Sequence, residues 1–595
     1  MNPTDFAWST LQSITQLQPK NVKIIVDEIE YPTLGTDPFG YVIHLSTPLK
    51  PRDNVYSLHG MYFDNDAHGK ASMWRMFRAS VYHLSLHANT TDYRVYRSMQ
   101  NYTPSTNNLM FAISLVEDYA IRGHMKERWP GLSLDCAYAS HMTKLRFKNP
   151  DEIEDPSMRI AANFLSYSLI GKPLLSLGKE LDQQLASIHE YLLELEGSVQ
   201  KYYAISPITK NRNGASSEAN ENSSNSTTVV LGVDSKKINA ARKIMDVFSG
   251  QSCYMAQIPS PPFADNHGPN DLFESSPAAG DTVRFDSILM DAAADYGLDL
   301  SPSSLSESEK QISIESQTIL GDWEYGLTVQ KRLAEIHKAA DPKTHFENFL
   351  FPKEDYSEYV RTRAKLIGPI RLVLDQLRNV KSAMDETVRE SGQVDIPKAI
   401  QVVATDSGRN DVFQQEEPET KSEAWALVID SSKSLETFAR EVQEIGVCLA
   451  EVAKDLIPNH NAWACYSFNE NLYIVKDFSE IYGMRTKSRI GGLESGLKTY
   501  LPDALRLAAA RLKNAQAEVK VILVASDGFP LGYEGIDEEL VETIQQLDRA
   551  GIVLIGMGVG SSSIKKFFRS NCQINSPFDL MRQFVKIYIE LSGSF

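Results

Sequence analysis

The chain has 595 residues, with 60 Lys plus Arg against 77 Asp plus Glu and a formal net charge of −17. At roughly 150 residues per domain this length predicts three to four domains, and 42% apolar with 23% charged residues is an ordinary globular composition. The acidic balance argues against nucleic acid as the main partner and against docking on an anionic membrane, since both need a basic face.

The N-terminal MNPTDFAWSTLQ has neither a basic start nor an apolar core, so no signal peptide is expected. Residues 22–47 alternate in strand fashion, VKIIVDEIE and then YVIHLSTPL. From Gly69 to Ala88 the pattern turns helical, with Trp74, Phe77, Val81 and Leu84 on one stripe. Further helices are predicted over Asn108–Arg128, Pro156–Ile170 and Leu174–Gln200. Residues 1–205 therefore read as an α-rich domain with a small β element.

Residues 206–312 read as a partly disordered linker with one short helix near Lys236–Phe248. Lys210–Thr228 is almost free of apolar side chains and Gln257–Glu309 is rich in Pro, Ser, Gly and Asp, too little burial to offset the entropy of ordering. A helical connector over 313–420 follows, with helices at Ile314–Ala340 and Tyr356–Glu390.

Residues 421–595 change rhythm again. AWALVID is an apolar run ending in Asp430, followed by a long amphipathic helix over Leu435–Leu456. AWACYSF and NLYIVKDF read as strands, then come a helix over Asp503–Leu512 and the strand VKVILVAS. The pattern ends with a helix at Glu538–Ala550, the strand GIVLIGMGV and a helix at Phe578–Leu591. Strands and helices alternating at these lengths predict an α/β fold, a doubly wound, mostly parallel sheet covered on both faces. Ligands in such folds bind beyond the carboxyl ends of the strands. The longest apolar stretches, Val521–Ser526 and Gly551–Val559, fall far short of the ~20 residues that span a bilayer. The expected location is cytoplasmic, with no membrane insertion.

The residues at the strand ends carry the chemistry. Asp430-Ser431-Ser432-Lys433-Ser434 follows one strand, Ser526-Asp527-Gly528 ends another, and Thr499 opens the helix between them. Asp430, Ser432, Ser434, Thr499 and Asp527 offer only hard oxygen donors, which suit Mg²⁺ or Mn²⁺ rather than zinc or copper. Ser432, Ser434 and Thr499 are expected to bind directly, with Asp430 and Asp527 acting through waters or orienting the hydroxyls. A metal held mainly by neutral hydroxyls stays short of negative charge, and an outside carboxylate supplies it. As a helix cap alone, D-x-S-x-S would need none of this; Thr499 and Asp527 at matching strand ends favour the metal.

VIDSSKS, GLKTYLPDAL and VASDG together resemble the metal-ion-dependent adhesion site of a von Willebrand factor A domain. GLESGLKTYLPDALRLA, DGFPLGYEGID, ESGQVDIPKAIQVV and, near the N-terminus, LVEDYAIRGHMKERWPGL are similar to segments of a narrower family. That family comprises the adaptors of MoxR-type AAA+ ATPases typified by the nitric-oxide-reductase activation protein NorD and the Rubisco-activation protein CbbO. Phe529 and Leu531-Gly532 stand where the family carries Lys and acidic residues. The resemblance implies a non-enzymatic adaptor. Its N-terminal region would hold a MoxR-type ATPase hexamer, and its A domain would present Mg²⁺ to an Asp or Glu of a client protein. The alternatives are an A-domain subunit of a chelatase-like complex and a free-standing cation-dependent binding module.

Other features read more plainly. His83 and His87 lie i, i+4 on one predicted helix, with Glu117 and Asp118 as possible carboxylates, but H-x-x-x-H alone is weak and reads as ordinary packed or surface histidines. Gly556-Met557-Gly558-Val559-Gly560 reads as a tight turn after a strand, and no Walker A sequence exists in the chain. Cys136, Cys253, Cys448, Cys465 and Cys572 include no C-x-x-C pair and read as reduced, mostly packed thiols.

Overall fold

The chain divides into two units, Met1–Tyr325 and Gly326–Phe595, in the computed structural model. The structure describes residues 2–29, 32–59, 61–99, 106–145, 148–149, 152–205, 223–248, 285–298, 300–389, 393–394, 396–405, 413–414, 422–574 and 576–592. Among these, no helix is long and apolar enough to cross a membrane.

The first unit opens with helix α1 (Pro3–Thr15), started by a capping box in which Asn2 and Asp5 each accept from the other's backbone N–H. Two small sheets follow. Strands β1 (Val22–Asp27), β2 (Thr33–Asp37) and β3 (Gly40–Ser46) form one in the order β1-β3-β2; β4 (Leu49–Arg52), β5 (Val55–Leu58) and β6 (Met61–Asp64) form the other. Seven helices of this unit come next: α2 (Ala67–Thr90), α3 (Thr106–Arg128), α4 (Ser133–Lys144), α5 (Pro156–Ile170), α6 (Lys179–Ile205), α7 (Ser223–Val247) and α8 (Phe285–Asp295). Helix α9 (Pro302–Ala340) contains the residue at which the two units divide.

The side chains of α2 are buried nearly all round from Met73 to Ala88, as befits a central helix. The faces of α3, α6 and α7 meet in a core around Phe111, Leu115, Leu192, Leu195, Ile244 and Phe248. At Gly123 a Cβ would stand 2.4 Å from the Glu196 carbonyl oxygen, so this glycine permits the close approach of α3 and α6. Glu196 also accepts from Arg122 at 2.7 Å and Lys126 at 2.8 Å across the same seam.

Two expectations for the linker change. Helix α7 starts at Ser223, inside the stretch read as a disordered loop, and α8 and the start of α9 lie inside the stretch read as flexible. Cooperative extension from the apolar segments Lys236–Phe248 and Ile288–Ala293 carries helix into polar neighbours that composition alone rates poorly. The rest of both stretches lies outside the described residues.

The second unit is built on a seven-stranded mixed sheet. Its strands are β7 (Phe349–Leu350), β10 (Glu423–Asp430), β11 (Trp463–Phe468), β12 (Leu472–Lys476), β13 (Val519–Ser526), β14 (Ile552–Val559) and β15 (Ser570–Ile574), in the order β15-β14-β13-β10-β11-β12-β7. Only the β11–β12 pair is antiparallel. The short ribbon β8 (Gln393–Val394) and β9 (Phe413–Gln414) is separate. Helices α10 (Tyr356–Arg389), α12 (Ala439–Leu456) and α16 (Pro577–Ser592) pack together, as do α14 (Leu501–Lys513) and α15 (Ile536–Arg549). The remaining helices are α11 (Ile396–Thr405) and α13 (Met484–Gly491). β10, β13 and β14 are buried almost end to end, which accounts for their unbroken apolar sequences.

The glycine run at the end of β14 is, over most of its length, not the turn expected from the sequence. Gly556 and Gly558 lie within β14, where a Cβ would meet Phe568 Cγ at 2.7 Å and the Ser561 carbonyl oxygen at 2.3 Å. Only Gly560, at φ +63°, turns the chain.

Candidate metal centre at the strand ends

The connections place a switch point in the sheet. From β10 the chain passes through α12 to β11 on one side, whereas β13, on the other side of β10, leads through α15 to β14. Parallel neighbours that send their chains in opposite directions leave a crevice beyond their carboxyl ends. β10 and β13 run in register, Ile429 opposite Ala525, so Asp430 and Ser526 end side by side. Both expected carboxylates, Asp430 and Asp527, therefore stand at this crevice.

Asp430 is wholly buried and held on both oxygens. The Ser432 N–H donates to its Oδ1 at 2.9 Å, and the Ser526 hydroxyl donates to its Oδ2 at 2.6 Å. Burial pushes its carboxyl up to about 7; the Ser526 and Ser432 hydrogen bonds pull against this, and the nearby Asp527 charge adds to it. Asp527 is also buried and accepts from the Phe529 N–H at 3.0 Å. The hydrogen-bond partners of both carboxylates among the described residues are backbone N–H and hydroxyl groups, not basic side chains. Two buried acids side by side without a cation make an electrostatic deficit that a divalent ion suits.

The hydroxyls complete the arrangement. Ser432 Oγ and Ser434 Oγ lie 2.9 Å apart. Two oxygens on neighbouring corners of an Mg²⁺ octahedron, at ~2.1 Å from the ion, are about 3.0 Å apart. The donor chemistry and this spacing both fit Mg²⁺ or Mn²⁺. Thr499, 2% exposed, arrives on a loop pinned at both ends. The Gly496 N–H donates to the Ser431 carbonyl at 2.8 Å, and Thr499 exchanges backbone hydrogen bonds with Leu531 at 2.8 and 3.2 Å. Glu470 caps the same loop by accepting from the Leu497 and Lys498 N–H groups. The loops that carry the five expected donors are thus tied to one another by backbone bonds.

Gly528 is required where it stands. It adopts φ +78°, and a Cβ there would come within 2.5 Å of the Ile564 nitrogen. Two contributors were not assigned from sequence. Ser526 orients Asp430, and the Ser431 carbonyl anchors the Thr499 loop; neither carries a motif signal beyond adjacency to a strand end. Around the crevice Leu497, Phe529 and Leu531 are 64%, 53% and 64% exposed, an apolar rim beside the polar centre.

No family model matches the chain. No curated protein matches it either. Among solved structures, the chain shows a similarity to the RO (RSR) protein of Deinococcus radiodurans, at 12% identity over 84% of this chain and 94% of that one. The TM-score is 0.19, too low for the likeness to speak for fold or function.

Proposed function

We propose that the second unit is a von Willebrand factor A domain whose strand-end site holds Mg²⁺, or Mn²⁺, and that the chain is an adaptor of the NorD/CbbO kind. The observation that carries this reading is the meeting of Asp430, Ser432, Ser434 and Asp527 at the β10/β13 switch point, with two hydroxyls 2.9 Å apart. Ser432, Ser434 and Thr499 would hold the ion, and Asp430 and Asp527 would position them. The bound ion supplies an electropositive open site for a carboxylate. The chain's own part is to shape that site: Asp430, already saturated by Ser432 and Ser526, stays back and leaves the partner's Asp or Glu as the missing anion.

The exposed rim of Leu497, Phe529 and Leu531 extends this recognition. An acidic residue flanked by apolar side chains on the client satisfies both the ion and the rim. A MoxR-type AAA+ ATPase hexamer is the proposed motor, held by the first unit, so the chain itself is not an enzyme. Co-purification of ATPase and client with wild type and Asp430→Ala, with and without EDTA, tests this. The client is expected to be lost and the ATPase kept; loss of the ATPase with retention of the client reverses the assignment.

A further inference from the structure

The first unit contains a second cluster of a different chemical kind. His83 and His87 sit one turn apart on α2, and Asp118 faces them from α3. His87 Nε2 lies 3.1 Å from His83 Nε2 and 3.0 Å from Asp118 Oδ1, and His83 Nε2 lies 3.2 Å from the same oxygen. All three residues are buried. Three donor atoms thus form a triangle with edges of 3.0–3.2 Å. Ligands held at ~2.0–2.1 Å around a tetrahedral ion are separated by roughly 3.3 Å, so the triangle need open by only tenths of an ångström to take one ion.

The hydrogen bonds around His87 suit one tautomer of its ring. The Thr91 hydroxyl donates to Glu117 Oε2 at 3.2 Å, so toward His87 Nδ1, 2.9 Å away, its oxygen can only accept. Glu117 is itself fixed by the Tyr96 hydroxyl at 2.6 Å and by Lys237 Nζ at 2.9 Å. A neutral His87 ring therefore carries its proton on Nδ1 and turns the Nε2 lone pair toward Asp118 Oδ1. Two acceptors then meet at 3.0 Å, with His83 Nε2 within 3.2 Å of both, a contact that either a proton on His83 Nε2 or a cation among the three atoms relieves. The other oxygen, Asp118 Oδ2, is buried with no hydrogen-bond partner among the described residues. An imidazole whose far nitrogen donates to a hydroxyl backed by a carboxylate is the outer-shell arrangement of metal-bound histidines.

We propose that His83 Nε2, His87 Nε2 and Asp118 form a resident site for a divalent first-row transition metal that cross-links α2 to α3. Two imidazoles and one carboxylate select Zn²⁺ or Fe²⁺ over Mg²⁺, which prefers all-oxygen shells. The site is chemically separate from the hydroxyl-rich centre of the second unit, and the two take different ions. The i, i+4 histidines, which the sequence alone reads as ordinary, acquire their function from the carboxylate that folding brings opposite them.

The test is Zn²⁺ titration of the metal-stripped full chain carrying Asp430→Ala and Asp527→Ala, so that the strand-end centre contributes nothing. One equivalent is expected to bind, with Co²⁺ giving a visible absorption spectrum and Fe²⁺ titrated anaerobically to rank the ions. His87→Ala and Asp118→Ala are expected to weaken binding at least 100-fold, and Thr91→Val 10- to 100-fold through the lost outer-shell bond. Imidazole nitrogen resonances of the unsubstituted first unit in the full chain provide a readout that needs no variant: two Nε2 signals are expected to move on Zn²⁺ addition. Absence of Zn²⁺ binding, unmoved imidazole signals, or binding unchanged in both His87→Ala and Asp118→Ala overturns the proposal.

Discussion

Replacing Asp430 by Asn separates the electrostatic cost of the strand-end centre from its ability to bind metal. Without an ion, the Asp430 carboxyl titrates at about 7 against an ordinary value of 3.8, because it is buried beside Asp527. A raised folded-state value means that the folded chain holds its proton more tightly than the unfolded chain. The stability this confers is complete below the ordinary value and is lost as pH rises through about 7. At about 1.4 kcal/mol per unit, the loss by pH 8 approaches roughly 4 kcal/mol, an upper figure for a site that relaxes. Asn keeps an oxygen for the Ser432 N–H and presents an amide to Ser526 Oγ, so the local bonds survive while the ionisation disappears. In EDTA, urea unfolding of Asp430→Asn and wild type should give stabilities that differ by only about 1 kcal/mol at pH 4.5. At pH 8 the variant should be the more stable, by about 2–4 kcal/mol, a Tm difference of several degrees for a unit of this size. Saturating Mg²⁺ at pH 8 should raise wild type by about 2.7 kcal/mol at one hundred times Kd and leave the variant unmoved. If the gap fails to widen between the two pH values, or if Mg²⁺ stabilises the variant equally, the electrostatic account of this centre is wrong.

Three further outcomes follow from the second unit. Gly528→Ala forces a Cβ onto a left-handed backbone 2.5 Å from the Ile564 nitrogen and should cost roughly 2 kcal/mol or more, read as a lowered denaturation midpoint; an unchanged midpoint refutes it. Burial alone would raise the Asp477 carboxyl, but His337 at 3.2 Å and Arg511 at 3.1 Å hold it well below the usual range, so the stability it lends is present at neutral pH and lost only in strong acid. Asp477→Ala strands Arg511 and should destabilise the unit by roughly 3–5 kcal/mol at pH 7 by calorimetry, and a loss under 1 kcal/mol would mean the pair is not buried as described. Thr499→Ala should weaken Mg²⁺ binding less than Asp430→Ala by isothermal titration, because a water replaces one hydroxyl; the reverse order would make Thr499 the principal ligand.

Much of the second unit was legible in the sequence because its strands are buried on both faces. Burial on both sides writes unbroken apolar runs such as VKVILVAS, and the strand observed is Val519–Ser526, residue for residue. The amphipathic helices between them are equally plain, and a strand end followed by Asp and Ser names its own chemistry. Elements with weak local signals escaped. β15 is an edge strand of mixed burial, SNCQI, and α13 is short and polar, so neither has a periodicity that stands out.

What only the tertiary structure decided is adjacency. Asp430 and Ser526 are 96 residues apart in sequence, and their hydrogen bond exists because β13 inserts beside β10 rather than beyond β12. Strand order is set by packing of whole layers, which no local pattern encodes. The same holds for His83, His87 and Asp118. Helical periodicity puts the two histidines on one face and Asp118 is a candidate partner in sequence, but only the packing of α3 against α2 brings its carboxylate to 3.2 Å. Composition likewise missed the helix at Ser223–Thr228, α8 and the start of α9 among the described residues, since helix propagation depends on the packed segment it extends and not only on the polarity of the residues it recruits. Local residue type determined the chemistry on offer along this chain; the three-dimensional fold alone determined which groups meet.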